Sequence, residues 1–271
     1  MCELLAKSSR QATTVNLSLS EFAQHGGRTG PHRDGWGIAY YEDSDIRLIK
    51  DTKQASQSPW ERFVEDQGLR TRTAISHIRN ATTGHVAITN THPFVRELGG
   101  RMHVFAHNGV VDGVLGEDGL SLGRFGPLGD TDSEHAFCAM LEDLTELWSA
   151  GEAPPPPLED RLDVIEAFAA KLRGFGPANF LYADGETLFA HSHERHQDDG
   201  TRRPPGLHLL QRNCVADGDA IQGGGVTIAA DGDGQSVALL ASVPLTAEPW
   251  LALDPGTLLA IEAGDVVTSR G

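Results

Sequence analysis

The most constraining pattern in the chain is one strong helical stripe set between two groups of short strands. Phe137, Met140, Leu141, Leu144, Leu147 and Trp148 recur at helical spacing behind Thr131-Asp132-Ser133-Glu134. They share one face of a helix, and that face must be buried. The tetrapeptide has the form of a capping box, with Thr131 as N-cap and Glu134 reaching back to it. Cys138 lies beside the stripe and reads as packing. Pro154 to Pro157 break the chain, and a second helix is expected from about Leu158 to Leu172.

Upstream of the stripe, strands are expected at 2–8, 36–41, 46–49, 73–79 and 103–107, with a helix over 57–67. After Gly176, short strands follow at 180–182, 187–190, 207–211, 226–229, 237–240 and 258–261. Turn signals such as Ala183-Asp184-Gly185, Asp231-Gly232 and Asp254-Pro255-Gly256 separate them. Strands, two helices and strands again predict two antiparallel sheets with helices outside. With 31 Gly, 14 Pro and an apolar share of 39%, the 271 residues suit a strand-rich fold with a substantial core. No linker is evident, so residues 2–271 read as a single domain.

The formal charge of −16 argues against nucleic acid or an anionic membrane surface as partner, because phosphate contacts need clustered Lys and Arg. No apolar run reaches the ~18 residues that a membrane span needs. Three cysteines (Cys2, Cys138 and Cys214) are odd in number and lack metal-type spacing, which speaks against a disulfide framework. The chain reads as cytoplasmic, where thiols stay reduced.

Cys2 stands directly behind Met1, and its small side chain permits removal of the initiator. Its own α-amine would then be free, with an ordinary pKa of about 7.7–8.0. One residue would supply both a thiol nucleophile and its base. The alternative is an ordinary cysteine near a terminus.

Three polar clusters stand at expected strand ends. In Ser76 to Gly84, Arg79 offers a guanidinium fork suited to a carboxylate, or is simply a surface arginine. In His107-Asn108-Gly109, the Asn108 amide and Gly109 N–H could donate jointly to an oxyanion. The same Asn-Gly pair is also a strong hairpin signal. Asp132 lies in a first helical turn, where the helix dipole favours a carboxylate, and it could equally pair with a substrate ammonium.

Taken in order, Met1-Cys2, Asp34-Gly35-Trp36-Gly37, His77-x-Arg79 through Thr82 and Gly84, Asn90-Thr91-His92-Pro93, His107-Asn108-Gly109 and Thr131 to Glu134 resemble the class II glutamine amidotransferases. The stretch Gly26 to Trp36 looks most like their stand-alone YafJ-type branch. The resemblance implies an α+β fold, the four-layer αββα N-terminal-nucleophile sandwich. It implies a glutaminase in which Cys2 attacks the γ-amide of glutamine, forming a γ-glutamyl thioester and releasing ammonia. Asn108 and Gly109 match the family's oxyanion pair, Arg79 the residue holding the substrate carboxylate, and Asp132 the one holding its amine. Thr82 and Gly84 match the lining of the glutamine pocket, with Asn90, His92 and His107 as supports. Asn80 and Thr83 replace residues that are often Trp and His in the family. No cofactor is implied.

Three readings follow. The first is a glutaminase serving a separate acceptor-binding partner protein. The second is a γ-glutamyl amidase or peptidase acting on a larger conjugate in thiol metabolism. The third is a metal-binding or non-enzymatic protein, suggested by His191-Ser192-His193 with His196.

Overall fold

A computed structural model describes residues 2–14, 22–148, 154–197, 199–214, 221–223, 226–228 and 234–271. Met1, the Asp231-Gly232 turn and the end of the 226–229 strand lie outside the described residues. In chain order the first strands are β1 (Glu3–Thr13), β2 (Trp36–Glu42), β3 (Asp45–Asp51), β4 (Thr71–Ile78), β5 (Phe94–Leu98) and β6 (Arg101–Asn108). After two helices come β7 (Asn179–Ala183), β8 (Leu188–His191), β9 (Arg195–His196), β10 (Arg202–Arg203) and β11 (His208–Cys214). The last are β12 (Ile221–Gly223), β13 (Val226–Ile228), β14 (Gln235–Ala241), β15 (Leu251–Ala252), β16 (Leu258–Glu262) and β17 (Asp265–Arg270). The helices are α1 (Pro59–Gln67), α2 (Asp132–Leu144) and α3 (Leu158–Arg173).

Two antiparallel sheets carry the fold. One has seven strands in the order β15-β11-β14-β1-β4-β2-β3, the other six in the order β17-β16-β8-β7-β6-β5. Strand alternation sends neighbouring residues of β1 to opposite faces. Leu4 and Ala6 enter the apolar layer between the sheets, with Ile75, Val104, Ala106 and Leu181. Leu5 faces outward, in a cluster with Phe22, Trp36, Ile38 and Val64 of α1. On the far face of the second sheet, α2 and α3 bury Phe137, Met140, Leu144, Leu162, Ile165 and Phe168 against Phe105, Phe180 and Phe189. This is the expected α+β sandwich, helix on sheet on sheet on helix.

The stripe that predicted α2 is buried, but the helix ends at Leu144, and Leu147 and Trp148 follow in a turn closed on the Leu144 carbonyl. The capping box is half formed. Thr131 caps as expected, its Oγ1 accepting from the Glu134 N–H at 3.2 Å. The Glu134 carboxylate does not return to Thr131; it accepts from Gly129 N–H at 2.7 Å and from Arg96 at 2.6 Å. A buried carboxylate gains more from a guanidinium than from a neutral N–H.

Candidate active site

Several strands finish at one end of the sandwich. Glu3 at the start of β1 pairs with Ile78 at the end of β4, and Asn108 at the end of β6 pairs with Asn179 at the start of β7. Cys2, Arg79, Asn108 and Gly109 therefore leave the sheets together, and the N-terminus of α2 adds Asp132. A narrow cleft between them is lined by Cys2, Arg79, Thr82, His92, Gly109 and Asp132, and leaves about 20 Å³ free.

The Cys2 thiol is bracketed by one residue's backbone. It accepts from the Asn80 N–H at 3.3 Å and donates to the Asn80 carbonyl at 3.4 Å. Burial pushes the thiol above its ordinary pKa, against the opposing pull of the Asn80 N–H and the Arg79 charge. The group therefore rests as a thiol and needs a base to become a nucleophile.

The Asp34-Gly35 motif holds the segment beyond β4. Arg79 N–H donates to the Gly35 carbonyl at 2.8 Å, Asp34 N–H donates to the Arg79 carbonyl at 3.2 Å, and Asp34 Oδ2 accepts from Ala81 N–H at 2.8 Å. Arg79 itself is buried, its guanidinium turned onto the loop that follows. Nη2 donates to the carbonyls of Thr83 (2.9 Å) and Gly84 (3.2 Å), and Nη1 donates to that of His85 (3.1 Å). Both Nη2 hydrogens are thus committed, leaving Nε–H and one Nη1–H from the five donors of the group.

Gly84 has φ +72°, in the left-handed region, and a β-carbon there would meet Asp130 at 2.6 Å. Thr82 and Gly84 are both exposed; Thr82 lines the cleft and Gly84 does not. Asn90 is fully buried and joins this loop to the start of α2. Its Nδ2 donates to the His85 carbonyl at 3.0 Å and to the Asp130 carboxylate, and its Oδ1 accepts from Asp130 N–H at 2.9 Å.

Asp132 is buried, with Oδ2 accepting from Val111 N–H at 2.6 Å and Oδ1 from Ser133 N–H at 2.8 Å. Its carboxylate reaches across to the chain just beyond Gly109, beyond the helix-dipole role that its position alone would explain. His107 sits beneath. Its Nε2 faces the Pro177 carbonyl at 3.0 Å, which can only accept, so the proton belongs on Nε2 and Nδ1 accepts from Ser133 Oγ–H at 2.9 Å. Burial keeps this ring below its ordinary pKa, with Asp132 pulling the other way.

The Asn-Gly pair does not form a hairpin. β6 ends at Asn108, Gly109 leads to a 3₁₀ turn over Asp112–Leu115, and the next strand in the sheet is β7. Asn108 is buried, and its Nδ2 donates to Ser242 Oγ at 3.2 Å. The same hydroxyl accepts from Leu4 N–H at 3.0 Å, so the Asn108 amide is tied to the strand that Cys2 begins.

Sequence reasoning passed over four contributors: the Asn80 backbone, Ser133, Ser242 and His77. Only Asn80, Ser133 and His77 lie inside motifs where they could have been noticed. His77 packs on His92 with ring centroids 4.1 Å apart and the planes tilted by 36°, and burial drives both well below the ordinary histidine pKa. His92 lines the cleft and His77 does not, and as neutral rings they add no charge beside Arg79. The proposed metal triplet loses its first member: His191 uses Nδ1 on the Ala178 carbonyl at 2.5 Å and Nε2 on Arg173 at 2.8 Å. Among the described residues no group of three or more His, Cys, Asp or Glu is arranged to hold a metal, and no helix is long and apolar enough to cross a membrane.

The family model for class-II glutamine amidotransferases matches residues 1–270. The chain belongs to that family, and it is an enzyme of glutamine amidotransferase type with glutamine as the family's small-molecule substrate. Within the family it falls with the YafJ-type members. It is 37% identical over 257 residues to YafJ of Escherichia coli K12, covering 94% of this chain and 95% of that one. The crystal structure of a predicted glutamine amidotransferase from Pseudomonas aeruginosa PA01 superposes with a TM-score of 0.68 at 31% identity, covering 98% of this chain and all of that one. The glutamine phosphoribosylpyrophosphate amidotransferase of B. subtilis shares the fold at a TM-score of 0.60 and 14% identity, covering 99% of this chain and 49% of that one. These matches favour neither a γ-glutamyl amidase nor a metal centre.

Proposed function

We propose that Cys2, freed of Met1, is the nucleophile of a glutaminase reaction. The observation that carries this reading is the placement of Cys2 in one cleft with Arg79, Gly109 and Asp132. The thiol is held in its protonated form, so its activation falls to the α-amine of Cys2 itself. The thiolate attacks the γ-carbonyl carbon of glutamine, and the resulting oxyanion accepts from Gly109 N–H and Asn108 Nδ2. Collapse breaks the C–N bond, the ammonium formed on the α-amine returns its proton to the leaving nitrogen, and ammonia departs. Water then cleaves the γ-glutamyl thioester.

Asp132 is proposed to hold the substrate ammonium and Arg79 its carboxylate, with Thr82 and Gly84 in the loop beside it and Asn90, His92 and His107 supporting the walls. The 20 Å³ now free is room for about one water. Glutamine must therefore displace the 82–85 loop, and its carboxylate would replace the Thr83 and Gly84 carbonyls on Arg79. A single domain over 2–271, a reducing cytoplasmic setting for the thiol and a separate protein that receives the ammonia complete the reading. Replacing Asn108 by Ala tests it: losing one oxyanion donor should lower kcat about 10²–10³-fold with little change in KM. An unchanged kcat would remove Asn108 from the mechanism.

A further inference from the structure

The Asn108–Gly109 peptide is gripped by a side chain that stands outside the Cys2 cleft. Asn179 opens β7 directly opposite Asn108. It is fully buried and lines no part of the cleft. Its Nδ2 donates to the Asn108 carbonyl at 2.9 Å and to the Glu194 carbonyl at 2.8 Å, and its Oδ1 accepts from His193 N–H at 2.7 Å. Both Nδ2 hydrogens are used, so the amide has one orientation. Turned over, it would set its oxygen against two carbonyls and its nitrogen against an N–H. A β-carbon on Gly206 would lie 1.6 Å from Asn179 Oδ1, so the amide is seated in space that Gly206 leaves open.

A peptide unit is planar and trans, so the Asn108 carbonyl and the Gly109 N–H point in opposite directions. Fixing the carbonyl toward Asn179 fixes the N–H on the other side, and Gly109 lines the Cys2 cleft. We propose that Asn179 is a positioning residue for the oxyanion donors: its hold on the Asn108 carbonyl aims the Gly109 N–H at the γ-carbonyl oxygen of glutamine. The inference rests on the reading of Gly109 as an oxyanion donor. The bond also polarises the peptide, because an amide whose carbonyl accepts a hydrogen bond donates more strongly through its N–H. Oxyanion stabilisation is effective when the donors are set before the charge develops. A peptide free to rotate would have to be turned during the attack, and Asn179 prevents that without touching substrate. Asn108 is thereby held twice, its side chain by Ser242 and its carbonyl by Asn179.

The test is steady-state glutaminase kinetics of Asn179→Ala, with the rate of Cys2 alkylation by iodoacetamide measured on the same protein. Alkylation is a displacement at saturated carbon and forms no oxyanion, so it reads the thiol apart from its donors. The expected result is a kcat lowered about tenfold or more, short of the roughly 10²–10³-fold loss for removing a donor outright. KM for glutamine and the alkylation rate should stay as in the unaltered enzyme. An unchanged kcat in folded Asn179→Ala overturns the inference, because the N–H then needs no such hold. Alkylation slowed by the same factor as kcat also overturns it, because Cys2 itself has then moved. Should Asn179→Ala fail to fold, Gly206→Ala decides: its β-carbon presses on Asn179 Oδ1 from outside the cleft, and the same split between kcat and alkylation is expected. Asn108→Ala at full kcat would instead sink the reading of the oxyanion pair, whereas a slow Asn108→Ala beside a fully active Asn179→Ala sinks only the role of Asn179.

Discussion

The carbonyl oxygen of Pro177 stands 1.8 Å from where a β-carbon on Gly109 would lie, so no side chain fits at that position. The contact fixes the end of β6 against the start of β7, and with it the direction of the Gly109 N–H. Gly109→Ala must push the two segments apart, and overpacking of this kind costs on the order of 1–3 kcal/mol. The expected outcome is a lowered Tm together with a loss of kcat that exceeds the loss of folded protein. Wild-type kcat and Tm in Gly109→Ala would show that the two segments accept the side chain without moving the Gly109 N–H.

Arg79 lines the cleft and spends three of its donors on the 83–85 carbonyls. Arg79→Lys keeps the charge but offers a single ammonium where three carbonyls, two of them replaced by the substrate carboxylate in the proposed reaction, take planar donors. KM for glutamine should rise by about tenfold or more, with a smaller change in kcat. Steady-state kinetics check this, and an unchanged KM would assign Arg79 to the loop alone.

Much of this was legible in the residues. Helix α2 announced itself through its stripe and through Thr131, because a cap and an amphipathic face are local properties. The strands around Trp36 and Phe105 were equally local. Three features were not. The partner of Glu134 depends on Arg96, a residue of β5 that only tertiary folding brings near. At Asn108-Gly109 the chain makes no hairpin but meets the Pro177 carbonyl, about 70 positions along the chain. The role of Ser242 depends on β14 pairing with β1, a contact across most of the sequence. Motif order suggested the site; side-chain direction came only with the sheets.

The raised pKa of Cys2 has a direct consequence for its chemistry. In the folded protein the thiolate is populated later on the pH scale than in free cysteine, because burial penalises the charge. The rate of iodoacetamide modification of Cys2 should therefore keep rising above the midpoint measured for free cysteine. A profile that levels off near neutral pH would mean a standing thiolate and no need for a base. The midpoint is the readout, since limited access alone changes only the absolute rate.

Away from the site, Arg161 Nη1 donates to Asp184 Oδ2 at 2.6 Å, and both side chains are almost fully buried. Asp184 in turn accepts from Thr187 N–H, closing the turn between β7 and β8. Arg161→Met would leave the carboxylate buried without its cation, at a cost of about 3–5 kcal/mol. Denaturant unfolding should show that loss. Destabilisation under 1 kcal/mol would mean that water reaches Asp184 and the pair is not load-carrying for the α3 face.

The most direct test of the central claim is intact-protein and peptide mass spectrometry of the enzyme quenched in acid during glutamine turnover. The expected species lacks Met1 and carries one γ-glutamyl group, located on Cys2. Active protein that retains Met1, or a glutamyl adduct on any residue other than Cys2, would contradict the mechanism.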